Sequence, residues 1–155
     1  MNESLPETIG VIGAGTMGAG IAQLAAQTGA QTILYDAIPA GLEAGLGKLE
    51  GGLAKLVERG KLGEDEAAAI RARVRPASSL DELAGCGLVI EAAPERLELK
   101  LELFMSLARV VSETCVLATN TWSLSVTVIA AGTTDPGRVV GMHFFNPAPV
   151  MKLVE

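Results

Sequence analysis

The sequence predicts an open α/β fold: a doubly wound, mostly parallel sheet with a helical hairpin inserted after the second strand. Three observations carry this expectation. Apolar runs of strand length alternate with helix-period stretches from end to end. The strand runs lack polar alternation, which is what a parallel sheet covered on both faces requires. The helical stretches between them supply the right-handed crossovers that parallel neighbours need.

The elements follow in order. "TIGVIG" (Thr8–Gly13) reads as a buried strand, followed by a helix from about Thr16 to Thr28 with Gly29 as its stop. "QTILYD" (Gln31–Asp36) is the second strand. Leu42, Leu46, Leu49, Leu53 and Leu56 then recur at steps of 4, 3, 4 and 3, one stripe of a long helix ending at Gly60. "GEDEAAAIRAR" (Gly63–Arg73) starts another helix, acids first and arginines last, as the helix dipole prefers. These two helices make the hairpin. "VRPA" is a brief strand, and Ser79 with Glu82 forms a capping box for a short helix. "GLVIEAAPE" (Gly87–Glu95) is a strand and loop, and Arg96–Val111 an amphipathic helix. "CVLATNT" (Cys115–Thr121), a short helix near Leu124–Ala131 and "RVVGMHFF" (Arg138–Phe145) continue the alternation.

At 155 residues, 49% of them apolar, the chain suits one domain over 1–155 with a real core. Its net charge of -6 argues against a nucleic-acid partner, which favours a basic face. Cys86 and Cys115 are widely spaced and lack metal-ligand pairing, so no metal is expected and both read as small buried hydrophobes in a reducing compartment. The opening "MNESLPE" lacks the plan of a secretory signal. No run approaches the roughly 18 uninterrupted apolar residues of a membrane span. The expected location is the cytoplasm.

"GVIGAGTMGAGIAQ" sets Gly13, Gly15 and Gly18 in G-x-G-x-x-G spacing between an apolar strand and a helix. Asp36 ends the next strand, 23 residues after Gly13. Together these form the dinucleotide-binding signal of a Rossmann-type sheet. Gly13 permits the tight turn, Gly15 lets the backbone approach a pyrophosphate, and Gly18 lets helix and strand pack closely. The free N–H groups at the helix start, next to Thr16 and Met17, face the phosphates with the helix dipole behind them. Asp36 can accept from the adenosine ribose hydroxyls and would repel a 2′-phosphate. Ala37 and Ile38 offer no compensating arginine, so NAD is favoured over NADP. An FAD site shares this fingerprint, so the later motifs must decide.

Those motifs are "VIEAAPERLELK", "LATNTWSLSV" and "GMHFFNPAPVMKLVE". Together they resemble the cofactor domain of the 3-hydroxyacyl-CoA dehydrogenase family, over nearly the whole chain and including the hairpin after Asp36. The resemblance implies reversible oxidation of a 3-hydroxyacyl-CoA to the 3-ketoacyl-CoA, with hydride passing to NAD. It implies His143, the only histidine, as general base, with Glu155 orienting it. It matches Glu95 and Lys100 to positions that contact the cofactor. Asn120, Trp122 and Asn146 fall near the nicotinamide and the substrate, and Asn120 and Ser123 join the catalytic candidates. Local geometry alone does not pair His143 with Glu155. A tight reversal at Asn146–Pro149 would set His143 opposite Lys152 and leave Glu155 roughly 10 Å further along.

The chain departs from the family at Asn120-Thr121-Trp122-Ser123, where Asn-Thr-Ser-Ser is usual. The family's first serine offers its hydroxyl to the substrate's reacting oxygen. An indole N–H donates but cannot accept. Either Ser123 substitutes, or the pocket has another shape, or activity is reduced; ordinary packing is the competing reading of Trp122. The family's mostly helical second domain, which closes over the acyl-CoA and carries the homodimer interface, is not among these residues. The expectation is a domain that binds NAD and turns over weakly or not at all alone. A non-catalytic nucleotide-binding relative, or an NAD-dependent dehydrogenase of another 3-hydroxy acid, are the alternatives. Lys48, Lys55 and Arg59 share one helix face with a possible grip on the CoA tail, but Glu43, Glu50 and Glu58 interspersed favour a solvated face.

Overall fold

The apolar runs become six strands: β1 (Thr8–Ile12), β2 (Gln31–Tyr35), β3 (Val74–Ala77), β4 (Leu88–Glu91), β5 (Val116–Thr119) and β6 (Val139–Gly141). The helices are α1 (Thr16–Gln27), α2 (Pro39–Glu58), α3 (Glu64–Ala72), α4 (Leu97–Val110) and α5 (Val126–Ala131). This computed structural model describes residues 4–155, so the first three residues of the opening segment lie outside it. All six strands are parallel, in the order β3-β2-β1-β4-β5-β6. That order reverses at β1 and β4, and ligands of such sheets bind at the carboxyl ends around the reversal.

Strand side chains sort onto two faces with the period of two. Val11, Leu34, Ile90 and Ala118 join one core with Ile21 of α1, Leu49 and Leu53 of α2 and Ile70 of α3. Their chain neighbours Ile12, Ile33, Val89 and Leu117 join the other, with Phe104 and Leu107 of α4 and Ile129 of α5. Both faces are covered, which is why the strands read as unbroken apolar runs. Cys86 and Cys115 are free and buried in the second core, and burial pushes the Cys86 thiol up to about 11. Among the described residues, no helix is long and apolar enough to cross a membrane.

The hairpin forms as its leucine stripe predicts. Leu49 and Leu53 are buried, and α2 and α3 meet through Arg71 and Glu50 at 2.6 Å. That exposed ion pair contributes about 0–1 kcal/mol, so the leucines do most of the holding. Gly45 and Gly52 interrupt the same stripe. A Cβ on Gly45 would meet the Ala14 carbonyl at 2.4 Å, so α2 lies against the glycine turn itself.

Two elements are shorter than their sequence signals. After β3, the Ser79–Glu82 signal gives a single 3-10 turn (Leu80–Leu83), with the Glu82 carboxylate accepting from the N–H groups of Ser78 (2.7 Å) and Ser79 (3.3 Å). The final strand stops at Gly141 rather than Phe145. The Met142 N–H still reaches the Thr119 carbonyl at 2.9 Å, and the chain then leaves the sheet. Arg138, nine-tenths buried, donates to the carbonyls of Ser112 (2.5 Å) and Ala108 (3.2 Å), tying the start of β6 to the end of α4.

Gly45 and Gly47 offer a paired test, because a Cβ on Gly47 would meet nothing within 4 Å. Gly47→Ala should stabilise by about 0.5–1 kcal/mol through helix propensity. Gly45→Ala should destabilise by about 1–3 kcal/mol through overpacking. Urea unfolding measures both, and equal effects would show that α2 does not press on the turn.

Candidate active site

The turn between β1 and α1 is built as the three glycines predict. Gly13 adopts φ +91, a backbone that side chains rarely tolerate, and its N–H donates to the Tyr35 carbonyl at 2.8 Å. A Cβ on Gly18 would lie 1.5 Å from the Gly13 carbonyl oxygen, so helix and turn touch backbone to backbone. A Cβ on Gly15 would meet nothing within 4 Å. Gly15 also precedes α1 with no side chain to cap it, so the first-turn N–H groups of Thr16, Met17 and Gly18 remain available beside open space. A phosphate fits there.

Asp36 has a task that the sequence does not reveal. Its Oδ2 accepts from the Ala14 N–H at 2.8 Å and its Oδ1 from the Ile38 N–H at 2.8 Å. The carboxylate thus braces the glycine turn from the neighbouring strand while facing a cleft of about 410 Å³ lined also by Leu42, Leu46 and Ser78. Two bonds use two of roughly four acceptor sites. Sites remain for ribose hydroxyls.

The ends of β4 and β5 are joined by a buried charge network. Lys100 is 1% exposed, and its Nζ lies 2.5 Å from Glu91 Oε1, 3.2 Å from the Ala93 carbonyl and 3.3 Å from Glu95 Oε2. All three ammonium donors are spent. Lys100 therefore acts on any bound molecule through Glu95. Glu91 is fully buried, and its second oxygen accepts from the Thr119 hydroxyl at 2.7 Å. Glu95 Oε1 gathers the Thr121 hydroxyl, the N–H groups of Trp122 and Ser123 (both 3.2 Å) and the Ser123 hydroxyl (3.1 Å). One carboxylate fixes the whole Thr121–Ser123 turn.

That turn presents Trp122, whose indole is 75% exposed and so contributes nothing to either core. Among the described residues it packs against no core side chain. The Ser123 hydroxyl spends its proton on Glu95, leaving its lone pairs as acceptors.

Beyond β6 the chain pairs with its own last residues. Phe144 bridges Val154 in antiparallel fashion, and His143 and Glu155 exchange backbone hydrogen bonds at 2.7 and 3.0 Å. A tight reversal at Asn146–Pro149 would have put Lys152 there. Instead a longer loop, with a cis Asn146–Pro147 bond, lays Ala148 and Pro149 on Gly20 of α1 and shifts the register to His143–Glu155. The side chains follow, with His143 Nδ1 3.5 Å from Glu155 Oε2. Asn120, at the end of β5, steadies this strand by accepting the Phe144 N–H at 2.9 Å. Asn146 is exposed on the loop and makes no hydrogen bond among the described residues.

A family description reading "3-hydroxyacyl-CoA dehydrogenase, NAD binding domain" matches residues 8–155. The chain belongs to this family. It is 49% identical to the 3-hydroxyadipyl-CoA dehydrogenase of Escherichia coli, over 96% of this chain and 31% of that protein. With a probable 3-hydroxybutyryl-CoA dehydrogenase of Bacillus subtilis the identity is 47%, over 94% of this chain and 50% of the relative. The crystal structure of (S)-3-hydroxybutyryl-CoA dehydrogenase from Ralstonia eutropha superposes with a TM-score of 0.93 at 40% identity, covering 97% of this chain and 53% of that one. The chain thus spans between about a third and about a half of these relatives.

NAD is the cofactor of this domain, and the uncapped helix start beside Gly15 fits it. Lys48, Lys55 and Arg59 are exposed, as are Glu43, Glu50 and Glu58, so the solvated-face expectation holds for exposure, but the two signs lie on different sides of α2. The three basic residues line one open cleft of about 550 Å³ with Thr16, Pro147 and Val150. Glu50 and Glu58 face α3, and Glu43 faces the Asp36 cleft. Sequence reasoning missed Glu91, Thr121 and the bracing bonds of Asp36. Their only sequence signal is polarity at the ends of apolar strands.

Burial pushes the Glu95 carboxyl up, but the Thr121 hydroxyl, the Lys100 ammonium and the Ser123 N–H outweigh it and hold it at about 2, against a usual 4.5. A depressed carboxyl stabilises the fold above its unfolded pKa, and that stability is lost as pH falls toward the folded value. Glu95→Gln should therefore cost about 2–3 kcal/mol at pH 7. The difference from the unaltered chain should close between pH 4.5 and 2, the window set by the two values. Urea titrations across that window would show a constant gap if the carboxylate were not its source.

Proposed function

We propose that this domain holds NAD for the reversible oxidation of a 3-hydroxyacyl-CoA to the 3-ketoacyl-CoA, within a longer cytoplasmic polypeptide whose second domain completes the cleft and the homodimer. NAD, when bound, supplies the hydride acceptor. Gly13, Gly15, Thr16, Met17 and Gly18 hold its pyrophosphate, Asp36 its adenosine ribose. Glu95, Asn120, Trp122 and Asn146 border its nicotinamide end, and Lys100 fixes Glu95 from behind. The contact between His143 and Glu155, 3.5 Å at the carboxyl edge of the sheet, carries the reading. With Nδ1 turned to the carboxylate, the neutral ring keeps its proton there and offers the Nε2 lone pair outward. His143 takes the hydroxyl proton through that atom, and Glu155 orients the ring. In reverse His143 returns the proton to the ketone oxygen. Ser123, its proton given to Glu95, accepts beside it, and Lys48, Lys55 and Arg59 grip the phosphates of the CoA tail.

Hydride transfer needs an enclosed site, and the half-exposed His143 is not enclosed by this domain. The domain alone is weak or inactive. The test is acetoacetyl-CoA-dependent oxidation of NADH, by the chain alone and extended by the remaining half of the Bacillus subtilis relative. The extended protein should turn over, and His143→Gln should lower kcat by about 10²–10⁴-fold while NADH affinity stays unchanged. Full activity in the variant would sink the assignment.

The exposed Trp122 favours a second reading, a relative that binds the nucleotide without catalysis. Trp122→Ser in the extended protein separates the two. Increased turnover means the indole obstructs a working site; decreased turnover means the indole is used; none in either form favours the second reading.

A further inference from the structure

The cleft beside Asp36 has a second carboxylate wall, and its position bears on the choice between NAD and NADP. β2 and β3 run in parallel with Tyr35 opposite Ala77, so Asp36 and Ser78 leave neighbouring strand ends and line the same cleft. Glu82 holds Ser78 in place, its Oε1 accepting from the N–H at 2.7 Å and the hydroxyl at 2.9 Å. Its Oε2 takes Arg75 Nη1 at 2.5 Å. Glu82, Asp36 and Glu43 all line the 410 Å³ cleft, and no lysine or arginine does. Arg75 borders the neighbouring hollow with Thr8 and Gln31. Of the two partners in this ion pair, Glu82 lines the ribose-side cleft and Arg75 does not.

An NADP site places an arginine near the ribose to receive the 2′-phosphate. Among the described residues Arg75 is the arginine closest in the chain to this wall, and Glu82 occupies its guanidinium. Asp36 supplies one negative charge at the ribose, and Glu82 adds a second on the same cleft.

We propose that Glu82 is a second determinant of coenzyme choice, excluding the 2′-phosphate of NADPH by lining the ribose side of the cleft with negative charge and by withholding Arg75 from it. The proposal rests on the NAD reading and on Asp36 facing the ribose. It assigns to the turn after β3 a selectivity that the glycine signal and Asp36 do not contain.

NADH and NADPH titrations by fluorescence, on the chain as it stands, test this. Glu82→Gln should tighten NADPH by roughly tenfold and leave NADH within about twofold, the size expected for one unit of charge at this range. Asp36→Ala alone should weaken NADH yet still reject NADPH, and the double variant should bind NADPH best. Arg75→Ala loosens the same turn but keeps the Glu82 charge, so it should not tighten NADPH. In the unaltered chain, where folding of a variant is not at issue, the penalty for NADPH over NADH should narrow as salt rises. An unchanged NADPH-to-NADH ratio in Glu82→Gln would overturn the proposal, as would equal tightening by Arg75→Ala or a salt-independent penalty. Failure of the unaltered chain to bind NADH overturns the NAD reading along with it.

Discussion

The site depends on one buried ammonium. Lys100 reaches from α4 to the end of β4, and its three donors meet Glu91, the Ala93 carbonyl and Glu95. A charge this deep costs several kcal/mol to desolvate, and removing one partner of such a pair costs about 3–5 kcal/mol because the other is stranded. What the network provides is position. Glu91 fixes the ammonium against the sheet, the ammonium fixes Glu95, and Glu95 collects four donors from the Thr121–Ser123 turn. Loops after two different strands are thus set relative to each other by side-chain charge, where no backbone ladder joins them.

Backbone contact does the corresponding work on the other side of the reversal in strand order. Gly13 and Gly18 let α1 start almost on the strand, Gly45 lets α2 close over the turn, and Asp36 braces Ala14 from the neighbouring strand. The result is a helix N-terminus whose free N–H groups open beside Gly15, where nothing blocks an approaching anion. One half of the carboxyl edge is therefore shaped for phosphate and ribose by close packing. The other half is held in place by fixed charges. His143 stands at the far end, steadied by Asn120 through Phe144 and by Glu155 through both backbone and side chain.

The chain's exposed face is as informative as its core. Trp122, Val150 and Leu153 are more than half exposed, and Trp122 sits on a turn held by four bonds to Glu95. The bonds to Glu95 fix the backbone from which the exposed indole projects. The relatives are two to three times as long as this chain.

The fold was legible because its rules are local and periodic. Unbroken apolar strands imply a sheet covered on both sides, the leucine stripe implies the hairpin, and glycines at fixed spacing imply a turn that a Cβ would obstruct. Gly13, Gly18 and Asp36 sit where these rules put them, and the His143–Glu155 pair was implied by family resemblance. What only the tertiary structure decided involves register and distance between segments remote in the chain. A loop lying on α1, rather than a tight turn, moved Glu155 opposite His143. The packing of α2 set Lys48, Lys55 and Arg59 along one cleft and Glu43, Glu50 and Glu58 along others. The burial of Glu91 and Lys100 emerged only when strand ends met, since a charged residue in sequence carries no mark of whether water or another charge will surround it.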